Sequence, residues 1–197
     1  MCVDLSGALY KNLKTYTEIP KDDKGNTVWE QIINYTDTAD EGNDWLCSIC
    51  AGVYNKELYI LDVLYTQDGM EITEPATAAM LVNNNVNYAL IESNNGGRGF
   101  ARNVIKLIKQ LYRTNKVTVK WFHQNKNKKS RILTNSTFVM GHIYFPANWD
   151  IRWPEFYQSI ITYQKAGKNK HDDSADCITG LAEMIDTKRK AKAVKSI

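Results

Sequence analysis

The order of its elements constrains this chain more than any single motif. Three β-prone runs follow one another, and then helical and strand patterns alternate. Gln31-Ile32-Ile33-Asn34-Tyr35-Thr36-Asp37 predicts a first strand. Residues 40–44, with Gly42 and Asn43, predict a turn. Two apolar runs, Trp45 to Tyr54 and Leu58 to Tyr65, flank Asn55-Lys56-Glu57 and read as an antiparallel hairpin. The rhythm then changes. Glu71 to Asn84 has helical spacing, Asn87 to Glu92 is a short apolar strand ending on an acid, and Gly96-Gly97-Arg98-Gly99 reads as a flexible turn. Phe100 to Tyr112 is an amphipathic helix with Val104, Ile105, Ile108, Leu111 and Tyr112 on one face. Val117 to Phe122 predicts a strand, Lys128 to Phe138 a helix, His142 to Phe145 a strand and Trp153 to Gln164 a helix. The last helix runs from Asp172 to Lys190, with Ala175, Ile178, Leu181, Ala182 and Ile185 inward.

Three antiparallel strands followed by parallel strands and helices predict an α/β fold, a mixed sheet with helices on both faces. This order of elements resembles the ribonuclease-H-like fold. The 197 residues suit one such domain over 27–187, preceded by a leader or linker over 1–26 and followed by a basic tail over 188–197. No run approaches the roughly 20 apolar residues of a membrane span. The N-terminus lacks the pattern of a secretory signal, so a cytosolic setting is expected.

Fold alone does not fix function, and the acids carry the argument. Asp37 ends the first strand and Glu92 the fourth, while Asp172, Asp173 and Asp176 open the last helix. If the first and fourth strands are parallel neighbours, their acidic ends meet. The last helix then adds Asp173 and Asp176, which are three apart and share a face. Singly, each acid reads as a surface turn or, for Asp172, a helix cap. Jointly they read as a site. Carboxylates that converge without partners repel, and hard divalent cations such as Mg²⁺ or Mn²⁺ relieve that repulsion. Two ions held this way suit phosphodiester hydrolysis.

The cysteines offer no competing chemistry. Cys47 and Cys50 form a C-x-x-C without a second pair at zinc spacing, and in a strand residues three apart face opposite sides, so both are expected in the core. His123, His142 and His171 form no H-E-x-x-H.

The segment Asp37-Thr38-Ala39-Asp40-Glu41-Gly42-Asn43-Asp44-Trp45 resembles the first nuclease motif of phage terminase large subunits. Ala89-Leu90-Ile91-Glu92-Ser93-Asn94-Asn95-Gly96-Gly97 is similar to their second, and His171-Asp172-Asp173-Ser174-Ala175-Asp176-Cys177 to their third. Lys129-Ser130-Arg131-Ile132, ahead of Gly141 to Phe145, resembles the segment between the second and third. The resemblance implies a metal-dependent endonuclease acting on phage DNA with little sequence preference. It makes Asp37, Glu92 and Asp173 the core ligands of Mg²⁺ or Mn²⁺, two ions in all. Asp172 and Asp176 are alternates, Asp44 is a supporting residue, and Asp40 is a neighbour the family does not require.

The resemblance also implies double-stranded DNA, an ATPase motor, a portal and a small terminase subunit as partners, in the cytoplasm of an infected bacterial host. The motor's G-x-x-x-x-G-K-[ST] is missing, which points to an isolated nuclease domain or a split gene. Lys126, Lys128, Lys129 and Arg131, with Arg98 and Arg102, are expected to meet DNA phosphates. Two other readings remain: a junction-resolvase-like nuclease of the same fold, which the same acids would serve but which leaves the segments around Asn94-Asn95-Gly96 and Lys129-Ser130-Arg131 unexplained, and a non-catalytic module that docks on a packaging motor.

Overall fold

A strand that ends on an acid joins the antiparallel and parallel parts of the sheet. β2 (Gln31–Asp37) pairs antiparallel with β3 (Leu46–Tyr54) on one side and parallel with β5 (Tyr88–Glu92) on the other. The computed structural model describes residues 6–39, 44–94, 96–166 and 169–194, with side chains to residue 185 in the last helix. β4 (Glu57–Thr66) returns antiparallel to β3 through a tight turn at Asn55 and Lys56, whose φ angles are 50° and 64°. Positive φ at both turn residues matches the twist of the flanking strands. β6 (Thr118–Phe122) continues the parallel set beside β5, and β7 (Ile143–Pro146) lies parallel to β4. With β1 (Lys14–Tyr16) at the far edge, the sheet order is β1-β7-β4-β3-β2-β5-β6. This is the mixed sheet the sequence predicts.

The period-two alternation of the strands sorts their side chains between two cores. Ile33, Tyr35, Cys47 and Ile49 face α3 (Lys128–His142), α5 (Pro154–Ile161) and α6 (Asp173–Val194). Leu46, Cys50, Ala89 and Ile91 face α1 (Met70–Asn83) and α2 (Gly97–Leu111). Cys47 and Cys50 are fully buried and lie in opposite cores, so they cannot share a metal. The short α4 (Trp149–Arg152) stacks Trp149 on Phe145 at 4.1 Å.

Three readings of the sequence need correction. Residues 1–26 include more than a leader: Ala8, Leu9 and Tyr10 are buried, Leu9 N–H donates to the Tyr163 carbonyl at 2.7 Å, and β1 pairs with β7. A three-residue edge strand and three clustered apolar residues are too short to leave a period in the sequence. The turn read at Gly96 to Gly99 is already helical from Gly97. At the other end of α2, Leu111 is 62% exposed and Tyr112 lies at the surface, so neither is inward as the periodicity predicts. The inward face of α6 is as expected, with Ala175, Ile178, Leu181, Ala182 and Ile185 all buried.

Candidate metal centre

Asp37 and Glu92 are the last residues of two adjacent parallel strands, and Thr36 pairs with Ile91 immediately before them. Both acids therefore leave the sheet at the same edge. Both also point to the same face, since Asp37 follows the parity of Tyr35 and Glu92 that of Leu90. That is the face α6 covers. Gly180 lets α6 approach closely, because a Cβ there would overlap the Tyr35 ring. Cys177 Sγ completes the seam, donating towards the carbonyls of Cys47 at 3.1 Å and Tyr35 at 3.4 Å. One turn back along α6, Asp176 and Asp173 reach the acidic edge.

Asp37, Glu92 and Asp176 each offer a carboxylate oxygen within 4.8 Å of the others, and all three are buried. Asp176, read from sequence as an alternate, thus joins the trio. Asp173 is buried beside it and accepts from the Trp45 N–H at 3.4 Å. Trp45 is itself fixed by stacking on Tyr65 at 4.3 Å. Asp172 is partly exposed, and Asp44 is exposed outside the trio. Asp40 lies outside the described residues.

A single ammonium group ties the acids together. Lys128 Nζ lies 3.0 Å from Asp37, 3.5 Å from Asp173, 3.6 Å from Asp176 and 3.7 Å from Asp172. Asn127 starts α3 by accepting the Ser130 N–H at 3.0 Å, which puts Lys128 in the first turn. A lysine there opposes the helix dipole, and the carboxylates offset that cost. So Lys128, expected to meet phosphate, here meets the acids.

Arg131 departs further from its expected role as a DNA contact. It is 3% exposed and stands behind the trio, 2.9 Å from Asp176, 3.4 Å from Glu92 and 3.1 Å from Glu183. No phosphate reaches a guanidinium so enclosed, and its work is to neutralise buried acids. The Tyr35 hydroxyl donates to Glu92 and accepts from Arg131 Nη2 at 3.3 Å. Sequence reading missed both Tyr35 and Glu183. The available signals were a strand residue two before Asp37 and a helix residue seven after Asp176, each sharing its partner's face. Lys126, Lys129, Arg98 and Arg102 are exposed, as a phosphate contact requires.

Burial pushes the Asp37 carboxyl up to about 8, against the pull of Lys128 and with Glu92 and Asp176 adding repulsion. Burial also lifts Asp176 to about 6, with Arg131 and Lys128 opposing, and raises Asp173. For Lys128 burial favours the neutral amine, but Asp37 and Asp176 outweigh it and raise its pKa. Such a cluster holds more negative charge than its protein partners comfortably neutralise.

Residues 36–142, more than half the chain, match the family described as Terminase Bacteriophage T7, Ribonuclease H-like domain. The chain belongs to this terminase family. Solved structures agree on the fold. The nuclease domain of the large terminase subunit of bacterial virus Sf6 superposes with TM-score 0.59 at 10% identity, over 89% of this chain and 98% of that one. The human cytomegalovirus terminase nuclease domain, soaked with Mn, gives 0.57 at 14% identity, over 85% and 90%. The large terminase nuclease domain of bacteriophage SPP1, with bound Mn, gives 0.53 at 15% identity, over 92% and 98%. No curated protein sequence matches. No described helix of this terminase domain is long and apolar enough to cross a membrane.

The donors of the terminase domain fit a divalent cation. All are hard carboxylate oxygens, and neither buried oxygen of Asp176 accepts a hydrogen bond among the described residues, its contacts with Arg131 and Lys128 being purely ionic. The terminase nuclease fold and this acidic cluster together support a metal-dependent nuclease role.

Proposed function

We propose that this chain is an endodeoxyribonuclease that hydrolyses phosphodiester bonds of double-stranded DNA during phage genome packaging, with little sequence preference. The observation that carries the reading is the meeting of Asp37, Glu92 and Asp176 within 4.8 Å at the ends of β2 and β5 and the start of α6. These three, with Asp173 and Asp172 beside them, hold the divalent ions, Mg²⁺ or Mn²⁺ and two in number. Bound there, the ions would supply an activated water and would stabilise charge on the leaving oxygen.

The chain's own residues do the rest. Arg131 and Tyr35 fix the Glu92 carboxylate, and Arg131 also faces Asp176. Trp45 holds Asp173 through its backbone N–H. Lys128 neutralises the acids, and with cations bound there its ammonium would be available to a backbone phosphate. Lys129, Arg98 and Lys126 contact further phosphates without reading bases. Asp44, exposed next to Trp45, supports the rim. The ATPase motor, portal and small terminase subunit are the partners this family membership suggests, in the cytoplasm of an infected bacterial host.

The test is digestion of plasmid and linear duplex DNA with Mn²⁺ or Mg²⁺, comparing the wild type with Asp37→Ala and Asp176→Ala. Both variants are expected to keep the wild-type circular dichroism spectrum and to lose at least about a hundredfold in rate, the scale on which one essential charge acts in catalysis. Equal cutting by the variants removes these residues from the site. Cleavage confined to four-way junctions favours the resolvase-like reading, and no metal-dependent cutting or metal-linked rise in Tm favours the docking module.

A further inference from the structure

Eleven of the chain's 25 Lys and Arg residues, and none of its 22 Asp and Glu, fall between residues 93 and 149. Beyond that stretch the chain is net acidic, so its mild overall charge conceals a strong separation. Part of the excess is ordered by a helix. On α2, Arg98, Arg102, Lys106 and Lys109 follow one another at intervals of four, four and three residues, and all four are exposed. At 100° per residue they fit within about 80° of arc, and they span about 17 Å of helix axis. The buried face of α2, formed by Phe100, Ala101, Val104 and Ile108, lies on the opposite side. None of the four forms an ion pair with a described carboxylate, although they lie among like charges. Arg98 also occupies a first turn with no acidic residue, against the helix dipole. Four aligned cations, unpaired among the described residues, disfavour the isolated protein and favour a polyanion.

The stripe starts where the metal centre ends. Gly97 abuts the Glu92 carbonyl and the Thr38 hydroxyl so closely that a Cβ would overlap both, which fixes the first turn of α2 against the acidic edge. From there the cations lead away in one line. Neighbours at i and i+4 stand about 6 Å apart along the axis, close to two base-pair rises of one DNA strand. A protein partner with an acidic surface has no reason to require that line to begin at the metal ligands, whereas a nuclease substrate does.

We propose that Arg98, Arg102, Lys106 and Lys109 form a grip for the phosphate backbone of duplex DNA, extending about 17 Å from the metal centre. The proposal rests on the nuclease reading above, and its test is independent of cutting. Binding of a labelled duplex is measured by fluorescence anisotropy in EDTA over a series of salt concentrations. The wild type is compared with Arg102→Ala/Lys106→Ala/Lys109→Ala and with a control, Lys21→Ala/Lys24→Ala/Lys165→Ala, that removes the same charge elsewhere. The stripe variant is expected to weaken binding about tenfold or more at roughly 0.1 M salt and to flatten the slope of log K against log salt by about two to three. The control should keep the wild-type slope. Equal loss in both variants, or no loss in the stripe variant with an unchanged Tm, overturns the grip. In the latter case the stripe is solvated or faces a protein. Failure of the wild type to cut with Mn²⁺ bears on the metal centre alone, because the binding measurement needs no hydrolysis.

Discussion

Lys128 Nζ lies 3.0 Å from Asp37 Oδ2 and is within ion-pair range of three more carboxylates, so one side chain stands where cations are expected to bind. Lysine and metal therefore compete for the same oxygens. Lys128→Ala should lower the Tm of the metal-free protein, because four acids lose their shared counter-charge. The ammonium is more than a third exposed, so the loss is expected at about 1–2 kcal/mol, or roughly 2–8 °C for a domain of this size. The same variant should bind Mn²⁺ more tightly, and saturating Mn²⁺ should bring its Tm up to at least that of the loaded wild type. Calorimetric titration and thermal melts with and without Mn²⁺ check both parts. Weaker Mn²⁺ binding by the variant would show that Lys128 organises the ligands rather than competing for them.

The raised carboxyl of Asp37 sets a direction for pH dependence. A group whose folded pKa lies above its unfolded value keeps its proton in the native state after the unfolded chain has released it. Between about 4 and about 8 the folded state thus binds more protons, and metal-free stability falls as pH rises. Asp176, lifted to about 6, adds to the slope in the lower part of that window. Urea unfolding midpoints in EDTA should decline from pH 5 to pH 8, and Asp37→Asn should flatten the decline. Mn²⁺ should reverse it, since cation binding displaces the protons. A midpoint that climbs over this range in the wild type without metal contradicts the raised carboxyl of Asp37.

The legible part of this site was the part carried by strand ends. Asp37 and Glu92 were identifiable because an acid closing an apolar run is a local signal, and the element order makes the two strands parallel neighbours. The third candidate ligand was less legible. Asp173 and Asp176 share a helix face, and only the approach of α6 at Gly180 decides that Asp176 joins the trio. Arg131 was misread because a basic residue near a basic run looks solvent-facing, and its acids, Glu92, Asp176 and Glu183, lie 39 to 52 residues away in sequence. β1 escaped because an edge strand of three residues has no period to detect.

Arg131 gives a sharper stability test than any surface charge. Its guanidinium and the Glu92 and Asp176 carboxylates are all almost completely enclosed. Arg131→Met keeps much of the volume but leaves the buried Glu92 without an ion-pair partner among the described residues and Asp176 with Lys128 alone. Removing one partner of a buried pair costs about 3–5 kcal/mol. Chemical denaturation at pH 8 should show a loss of that size, and it should shrink at pH 5, where the orphaned acids can take up protons. Arg131→Lys should recover only part of the loss, because an ammonium cannot span Glu92, Asp176 and Glu183 as the planar fork does. A change below about 0.5 kcal/mol in Arg131→Met, the scale of ordinary surface substitutions, would mean that the buried network is not formed in solution.

Two helical glycines make a matched pair for the close approach that builds the site. A Cβ at Gly180 would overlap the ring of Tyr35, which is 1% exposed and holds Glu92 through its hydroxyl. A Cβ at Gly99, on α2, meets nothing within 4 Å. Alanine gains about 1 kcal/mol over glycine in a helix interior, whereas overpacking a core costs about 1–3 kcal/mol. Gly99→Ala is therefore expected to hold or raise the Tm by a few degrees. Gly180→Ala should lower it and also weaken Mn²⁺ binding, because relief of the overlap moves either α6, with Asp176, or Tyr35, with Glu92. Melting curves and Mn²⁺ titrations of the two variants separate the effects. If Gly180→Ala binds Mn²⁺ as tightly as Gly99→Ala does, the ligand set does not depend on the contact between α6 and β2.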